Sequence, residues 1–374
     1  MICARCTVWR YVLAVSEAAI ADGAAVPFTT LYDLSENLDG AWIRRELGVE
    51  FVTVDEEEIL RQAARPGRRV GVVVTDPDSY RPLLSTAPPR SVVVLHLYDE
   101  RYTPQCEEVA NMPSVFSLYR PFSLERATNI AYIASVAAAF ADIRVGTTNL
   151  RQIGAALKSG RAIRSAVQRY NRAKNDGFYT VPIGYTAAFA DVYEARFGPI
   201  GRYTSLFDHA LERDESASVE RVLDVSFRGA RGQFQRRTGV GLASQRPRSD
   251  CSTPIRSFSG DGNELDAATY LELMLRSRFV LCPPGFVTNE SYRTYEALLC
   301  GALPVMLTTA VSQGTRPAAD LHDVVTGVCW TVALRKMDRM AELSRRVAVA
   351  RALRSTRASY REVAHSIRTA LHGA

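Results

Sequence analysis

Ser277-Arg-Phe-Val-Leu-Cys-Pro-Pro-Gly-Phe-Val-Thr-Asn-Glu-Ser-Tyr-Arg-Thr-Tyr-Glu-Ala-Leu-Leu-Cys-Gly-Ala-Leu-Pro-Val-Met-Leu307 reads as a strand, a loop, a helix and a second strand. Residues 279–282 form a short apolar run, and Pro283-Pro284-Gly285 stops it. Residues 289–300 have helical spacing, Gly301 suits the left-handed turn that ends a helix, and residues 303–307 are apolar again. Two strands joined by one helix must run parallel. A Gly-containing loop after the first strand of such a crossover leaves a helix N-terminus, with unpaired N–H groups, where a diphosphate can sit.

Working outward, residues 70–75 and 92–97 are β-branched runs flanked by Gly, Pro and Arg, the pattern of buried parallel strands. Helical patterns cover 55–64, an alanine-rich stretch at 129–141, and 151–171 with a basic side. Residues 177–185 carry the chain out of this first half, and 191–212 give no clear period. A second alternation follows: a strand at 223–227, an Arg-rich helix or loop, a strand at 255–258, a helix at 264–275 and then the unit quoted above. Residues 332–371 are mostly helical. The expectation is an α/β chain: a Rossmann-like domain over 1–176, a second over 177–332, and a helical tail over 333–374 that packs back on them. No internal repeat or low-complexity segment is visible.

The quoted stretch also carries a resemblance. Cys282-Pro-Pro-Gly, then Asn289-Glu-Ser-Tyr-Arg-Thr-Tyr-Glu-Ala, then Cys300-Gly-Ala-Leu-Pro-Val is similar to the C-terminal signature of exostosin-type glycosyltransferases. Its Asn-Glu-Ser-Tyr-Arg form looks most like the ribitol xylosyltransferase branch. Val181-Pro-Ile-Gly-Tyr185, Ser226-Phe-Arg-Gly229, His96-Leu-Tyr-Asp-Glu100 and Tyr119-Arg120-Pro121 resemble further landmarks of that family in the same order. The resemblance spans residues 90–310 and is densest near its end. It implies a GT-B-like fold, with two Rossmann-type domains facing a cleft, and an inverting transfer of a sugar from a UDP-sugar to a glycan or a polyol phosphate such as ribitol phosphate. Xylose is the narrowest donor it implies. No obligatory cofactor or metal is expected. Members of the family are usually Golgi proteins held by an N-terminal anchor. Residues 11–20 are apolar but include Ser16 and Glu17 and lack a small-residue cleavage context, so no such anchor is visible in this chain.

The chain's 374 residues suit two α/β domains, and 47% hydrophobic residues with a mean hydropathy of −0.08 describe a globular protein rather than a disordered one. No window supplies the roughly 18 uninterrupted apolar residues of a membrane span. The seven cysteines, Cys3, Cys6, Cys106, Cys251, Cys282, Cys300 and Cys329, are odd in number and irregular in spacing, so no disulfide framework is indicated. Cys3 and Cys6 lack a second ligand pair at zinc-finger spacing. Cys282 and Cys300 sit in apolar segments as small buried hydrophobes.

Arginine carries the charge. Only Lys158, Lys174 and Lys336 among the 46 basic residues are lysine, which leaves 43 arginines. Residues 221–256 hold eight arginines against Asp224 and Asp250, a local balance of +6 that equals the net charge of the whole chain. A guanidinium fork grips phosphate oxygens two at a time, so such a segment beside a nucleotide fold favours an anionic ligand; the plain reading for most of the individual arginines is a solvated basic surface.

Sugar transfer with inversion needs a base for the acceptor hydroxyl and charge stabilisation on the departing diphosphate. Candidate donor-binding residues are Arg228 and Gly229, Gly285 in the loop, and Asn289, Glu290, Ser291 and Arg293 at the helix start. The resemblance gives Glu296 the ribose hydroxyls; the plain alternative is a surface ladder in which Glu290, Arg293 and Glu296 pair along one helix. His96, Asp99 and Glu100, at the end of a parallel strand, are the candidate bases, unless the acids cap a helix and His96 is a core imidazole. Arg120 is placed on the acceptor side. A rival reading takes Asp76-Pro-Asp78 as the metal-holding acid pair of a GT-A enzyme. A pI of about 9.0 keeps nucleic-acid binding as an alternative class, and a transferase-like protein without activity as a third. No stacking-aromatic pattern supports the nucleic-acid reading, so no such partner is expected.

Overall fold

The structure is a computed structural model that describes residues 11–15, 28–29, 41–48, 52–53, 56–67, 69–74, 77–96, 111–120, 123–124, 178–201, 204–213, 220–229, 234–251, 266–283, 291–307, 315–316, 321, 323–327 and 329–372. Its first part contains β1 (Tyr11–Val15), β2 (Phe28–Thr29), α1 (Ala41–Leu47), β3 (Val52–Thr53), α2 (Glu56–Ala63), β4 (Val70–Val74), α3 (Pro77–Thr86), β5 (Val92–His96), β6 (Val115–Arg120), β7 (Ser123–Leu124) and β8 (Phe178–Thr180). It continues with α4 (Ala187–Phe197), α5 (Leu206–Glu212), β9 (Leu223–Ser226), α6 (Phe234–Ala243), β10 (Ser249–Asp250), α7 (Ala267–Leu275) and β11 (Ser277–Leu281). Then come α8 (Tyr292–Leu299), β12 (Leu303–Leu307), β13 (Thr315–Arg316), β14 (Val325–Gly327), α9 (Trp330–Asp338) and α10 (Glu342–His372).

The first sheet has the order β2-β1-β4-β5-β6-β8, with β3 also on β1. β4, β5, β6 and β8 run parallel, and β1 joins β4 antiparallel. The valine runs are the reason: β5 is buried at every position, as a strand covered on both faces must be. β8 lies beyond the expected boundary at 176/177 and still pairs with β6. The second sheet, β10-β9-β11-β12-β14, is parallel throughout. Its strand after β9 is the short Ser249–Asp250; the strand expected at 255–258 and the helices at 129–141 and 151–171 fall outside the described residues. β7 and β13 form a separate antiparallel ribbon.

Helix ends follow local chemistry. Thr186, Ser205 and Asp266 each cap α4, α5 and α7 by accepting from backbone N–H groups one turn in. α8 closes as anticipated: Gly301 has φ +69, its N–H bonds Leu298 O at 2.8 Å, and Ala302 N bonds Ala297 O at 2.9 Å. Arg221 then donates to Leu275 O (3.1 Å), Ser277 O (2.6 Å) and Cys300 O (2.7 Å), satisfying carbonyls at the ends of α7 and α8.

The helical C-terminal region breaks at residues 339–341. α9 packs on β12 and β14. α10, 31 residues and about 46 Å long, runs from one sheet to the other. Near its start Arg345 donates to Gly301 O at 2.6 Å; near its end Ser366 meets the Tyr119 hydroxyl at 2.8 Å and Ala370 O accepts from Arg69 at 2.8 Å. Midway, Tyr360 stacks in a tilted chain with Trp42 (5.7 Å) and Phe207 (5.5 Å), and Phe207 meets Tyr295 edge-on at 6.3 Å. The Val181–Tyr185 segment enters this junction through Gly184, whose φ is +76 and whose position would put a Cβ 2.4 Å from Trp42 Cγ. Only glycine fits there. No helix among the described residues is long and apolar enough to cross a membrane.

Candidate functional site

In the second sheet β9 sends one connection to β10 on its left and the next strand, β11, lies on its right. The carboxyl ends of β9 and β11 therefore flank the switch point where open parallel sheets bind ligands. The residues emerging there are Phe227, Arg228 and Gly229 from β9, and Cys282 and Pro283 from β11, with the start of α8 beside them.

Arg293, in the first turn of α8, reaches across this point. Its Nη2 donates to Arg228 O at 2.8 Å, and its guanidinium carbon lies 4.8 Å from the centre of the buried Phe227 ring. Gly229 makes the approach feasible: a Cβ there would stand 2.8 Å from Arg293 Nη2 and 3.3 Å from Phe227 Cζ. Arg293 Nε is shielded from solvent without a partner, and no acid among the described residues pairs with this arginine. Ser291, the N-cap of α8, has a shielded hydroxyl that makes no capping bond and no other hydrogen bond. A fixed cation, an idle hydroxyl and the N-terminal N–H groups of a helix together suit a phosphate-type anion.

Two sequence-nominated residues have other employment. Arg228 forms a two-bonded pair with Asp250 (Nη1–Oδ1 2.7 Å, Nη2–Oδ2 2.9 Å), because β10 ends beside β9. Its charge is neutralised, and its carbonyl, rather than its guanidinium, holds Arg293. Glu296 is buried rather than displayed, which removes the surface-ladder reading. Its Oε1 accepts from Thr186 N (3.1 Å) and Thr186 Oγ1 (2.9 Å), and its Oε2 from the Tyr270 hydroxyl (3.2 Å). Burial pushes its carboxyl up, opposed by the Thr186 bonds, the charge of Arg293 and the Tyr270 bond. The carboxylate expected to meet a ribose thus ties α8 to the N-cap of α4 and to α7. Glu296→Ala is expected to lower stability by about 1–3 kcal/mol, by leaving those donors unmet, while Glu296→Gln costs under about 1 kcal/mol. Chemical denaturation of both variants decides this; an unchanged alanine midpoint with weakened nucleotide binding returns Glu296 to the ribose.

His96 ends β5, 4% exposed, in register with Val74 at the carboxyl edge of the first sheet. Arg120 ends β6 opposite Thr180; its side chain, together with Asp99, Glu100, Gly285, Asn289 and Glu290, lies outside the described residues. Pro77 opens α3, a favoured place for proline, so Asp78 belongs to a helix start rather than a strand-end loop. Cys282 and Cys300 are buried free thiols pushed up to about 12 by burial, and so neutral at ordinary pH.

Four of the eight arginines in the Arg-rich stretch are wired into the protein. Arg221 caps carbonyls, Arg228 holds Asp250, Arg246 pairs doubly with Asp338 (2.8 and 2.9 Å), and Arg248 pairs doubly with Asp224 (2.9 and 3.0 Å). Sequence reasoning missed Asp250, Thr186 and Tyr270 as partners; the Thr186 contact spans 110 residues and leaves no local pattern. Comparison with protein-family models and with curated proteins finds no match to this chain.

Proposed function

We propose that the chain is a glycosyltransferase of GT-B type that moves a sugar from a UDP-sugar to a glycan or polyol phosphate, with inversion. The observation that carries this reading is Arg293, a cation with no ion-pair partner among the described residues, at the switch point of a parallel sheet and in the first turn of a helix. In this scheme Arg293, the Ser291 hydroxyl and the α8 N-terminus receive the diphosphate. The acceptor oxygen attacks the anomeric carbon, the bond to UDP breaks, and its electron pair passes to the terminal phosphate oxygen. The acceptor proton goes to a base for which His96, Asp99 and Glu100 are the candidates. Xylose is the narrowest donor, and it rests on the motif resemblance alone.

The pairing of Arg221, Arg228, Arg246 and Arg248 within the protein favours this reading over a nucleic-acid surface, which needs its cations free. Titration with UDP, GDP and a short single-stranded RNA at two salt concentrations, with and without Mg²⁺, is expected to give selective, saturable UDP binding. RNA binding that collapses with salt, without nucleotide preference, overturns the proposal. UDP binding without release of UDP from any donor sugar marks a transferase-like protein that does not turn over.

A further inference from the structure

Leu343 and Val347 stand one turn apart near the start of α10, 74% and 42% exposed, and with Tyr179 they are the exposed large apolar side chains among the described residues. The opposite face of the same turns, Arg345, Ala348, Val349 and Ala352, is buried. Close to the apolar pair in sequence, Arg335, Lys336 and Arg339 at the end of α9, and Arg346 and Arg354 on α10, are exposed. The neighbouring acids are drawn off by partners: Asp338 by Arg246, Glu342 by Arg278 and Arg345, and Asp323 by Arg351 at 3.6 Å. Glu362 is the next exposed acid along the helix.

We propose that this face of α9 and α10 docks on an anionic membrane surface. Leu343 and Val347 enter the boundary between headgroups and acyl chains, and the surrounding guanidinium groups meet lipid phosphates. The apolar stripe is too short for a protein partner. It ends after one turn, giving way to Arg351, Arg354, Ala358 and Arg361, whereas a stable protein interface needs about 800 Å² per partner with an apolar centre. The bilayer surface accepts a small apolar insertion ringed by basic residues, and the charge of this face complements it. The placement is compatible with a ligand site elsewhere: Arg345 meets Gly301 O at the amino end of β12, whereas Arg293 lies at the carboxyl ends of β9 and β11. The proposal stands independently of the sugar-transfer reading.

Co-sedimentation of the full chain with vesicles of phosphatidylcholine alone, or of phosphatidylcholine with phosphatidylglycerol, tests it. The expected result is binding to the anionic vesicles only, weakened by salt. Leu343→Ser with Val347→Ser, and separately Arg339→Ser with Arg354→Ser, should each lower the partition coefficient about tenfold or more. All four side chains are exposed, so melting temperatures should hold. Equal binding to neutral vesicles, no binding, or undiminished binding by both double variants overturns the proposal. So does a concentration-dependent dimer that the Leu343→Ser, Val347→Ser variant abolishes, which assigns the face to a second copy of the chain.

Discussion

Glu46→Ala is expected to destabilise the protein by about 3–5 kcal/mol, a large share of the stability of an ordinary domain. Glu46 sits on α1, 3% exposed, where α1, the Val181–Tyr185 segment, α5 and α10 meet. Its Oε1 accepts from the Tyr185 hydroxyl and from Leu206 N, both at 2.9 Å, and its Oε2 from Ser205 Oγ at 2.5 Å. Arg357 approaches Oε2 at 3.6 Å while bonding Asp208 at 2.8 Å. Removing the carboxylate strands three buried donors at once, and each unmet donor costs about 1–3 kcal/mol. Arg357 keeps Asp208, so the loss stays below that of a fully orphaned ion. Urea denaturation measures the change; a loss under about 1 kcal/mol would mean that water or repacking replaces the carboxylate.

The same residue should leave a pH signature. Burial raises the Glu46 carboxyl from 4.5 to about 7, against the lowering pull of Ser205, Arg357, Tyr185 and Leu206 N. Between these values the folded protein keeps a proton that the unfolded chain releases, so rising pH favours unfolding. The stabilisation is full below about pH 4.5, is lost as pH climbs to about 7, and flattens above it. At 1.36 kcal/mol per unit, the loss across that window is about 3 kcal/mol. Glu46→Gln keeps the volume and an acceptor for Tyr185 and Leu206 but cannot ionise. Its unfolding free energy should fall less than that of wild type between these pH values; parallel pH profiles would remove Glu46 as the source.

These predictions mark the limit of what the chain alone discloses. The unit at 277–307 is legible because each of its signals is local: an apolar run, Pro-Pro-Gly, helical spacing, then a glycine that proves to have φ +69. The valine runs of β4 and β5 are legible because a strand buried on both faces needs no alternation. Residues 191–212 resist reading because they hold the end of one helix and the whole of the seven-residue α5, and the start signals of both helices are single capping side chains. α4 also buries Phe189, Ala190 and Tyr193 while carrying other apolar residues beyond that face, so its helical period is blurred. At the site, the position of Arg293 follows from the local unit, and its lack of an ion pair among the described residues does not. Arg228 looks equally free in sequence until Asp250, 22 residues on, arrives beside it through the parallel pairing of β9 and β10. Glu296 reads as an exposed helix residue until α4 and α7 cover it. Long-range contacts of this kind have no spacing to read.

On the proposed function, Arg293→Ala is expected to reduce turnover about 100- to 1000-fold with UDP-xylose or whichever donor is accepted, the scale on which enzymes lose a single donor to developing transition-state charge. The effect on kcat should exceed that on UDP affinity. In the proposed ground state the diphosphate charge would be spread and partly solvated, and a charge-assisted hydrogen bond contributes about 1.5–3 kcal/mol; the charge released on bond cleavage would be concentrated on the leaving oxygen that the proposal sets against the arginine. Stability should change less than turnover does, since the interactions lost among the described residues are one hydrogen bond to Arg228 O, a contact with the Phe227 ring and the pull of its charge on buried Glu296. Arg293→Lys separates geometry from charge. A lysine keeps a cation but loses the fork and its flat seat on Phe227, so it should restore part of the affinity and little of the rate. Arg228→Ala supplies the contrast: it breaks the pair with Asp250 and should lower stability while altering kcat less than Arg293→Ala does. Equal losses of kcat in the two variants would mean that both guanidinium groups face the ligand. An unchanged rate in Arg293→Ala would move the diphosphate away from the switch point altogether.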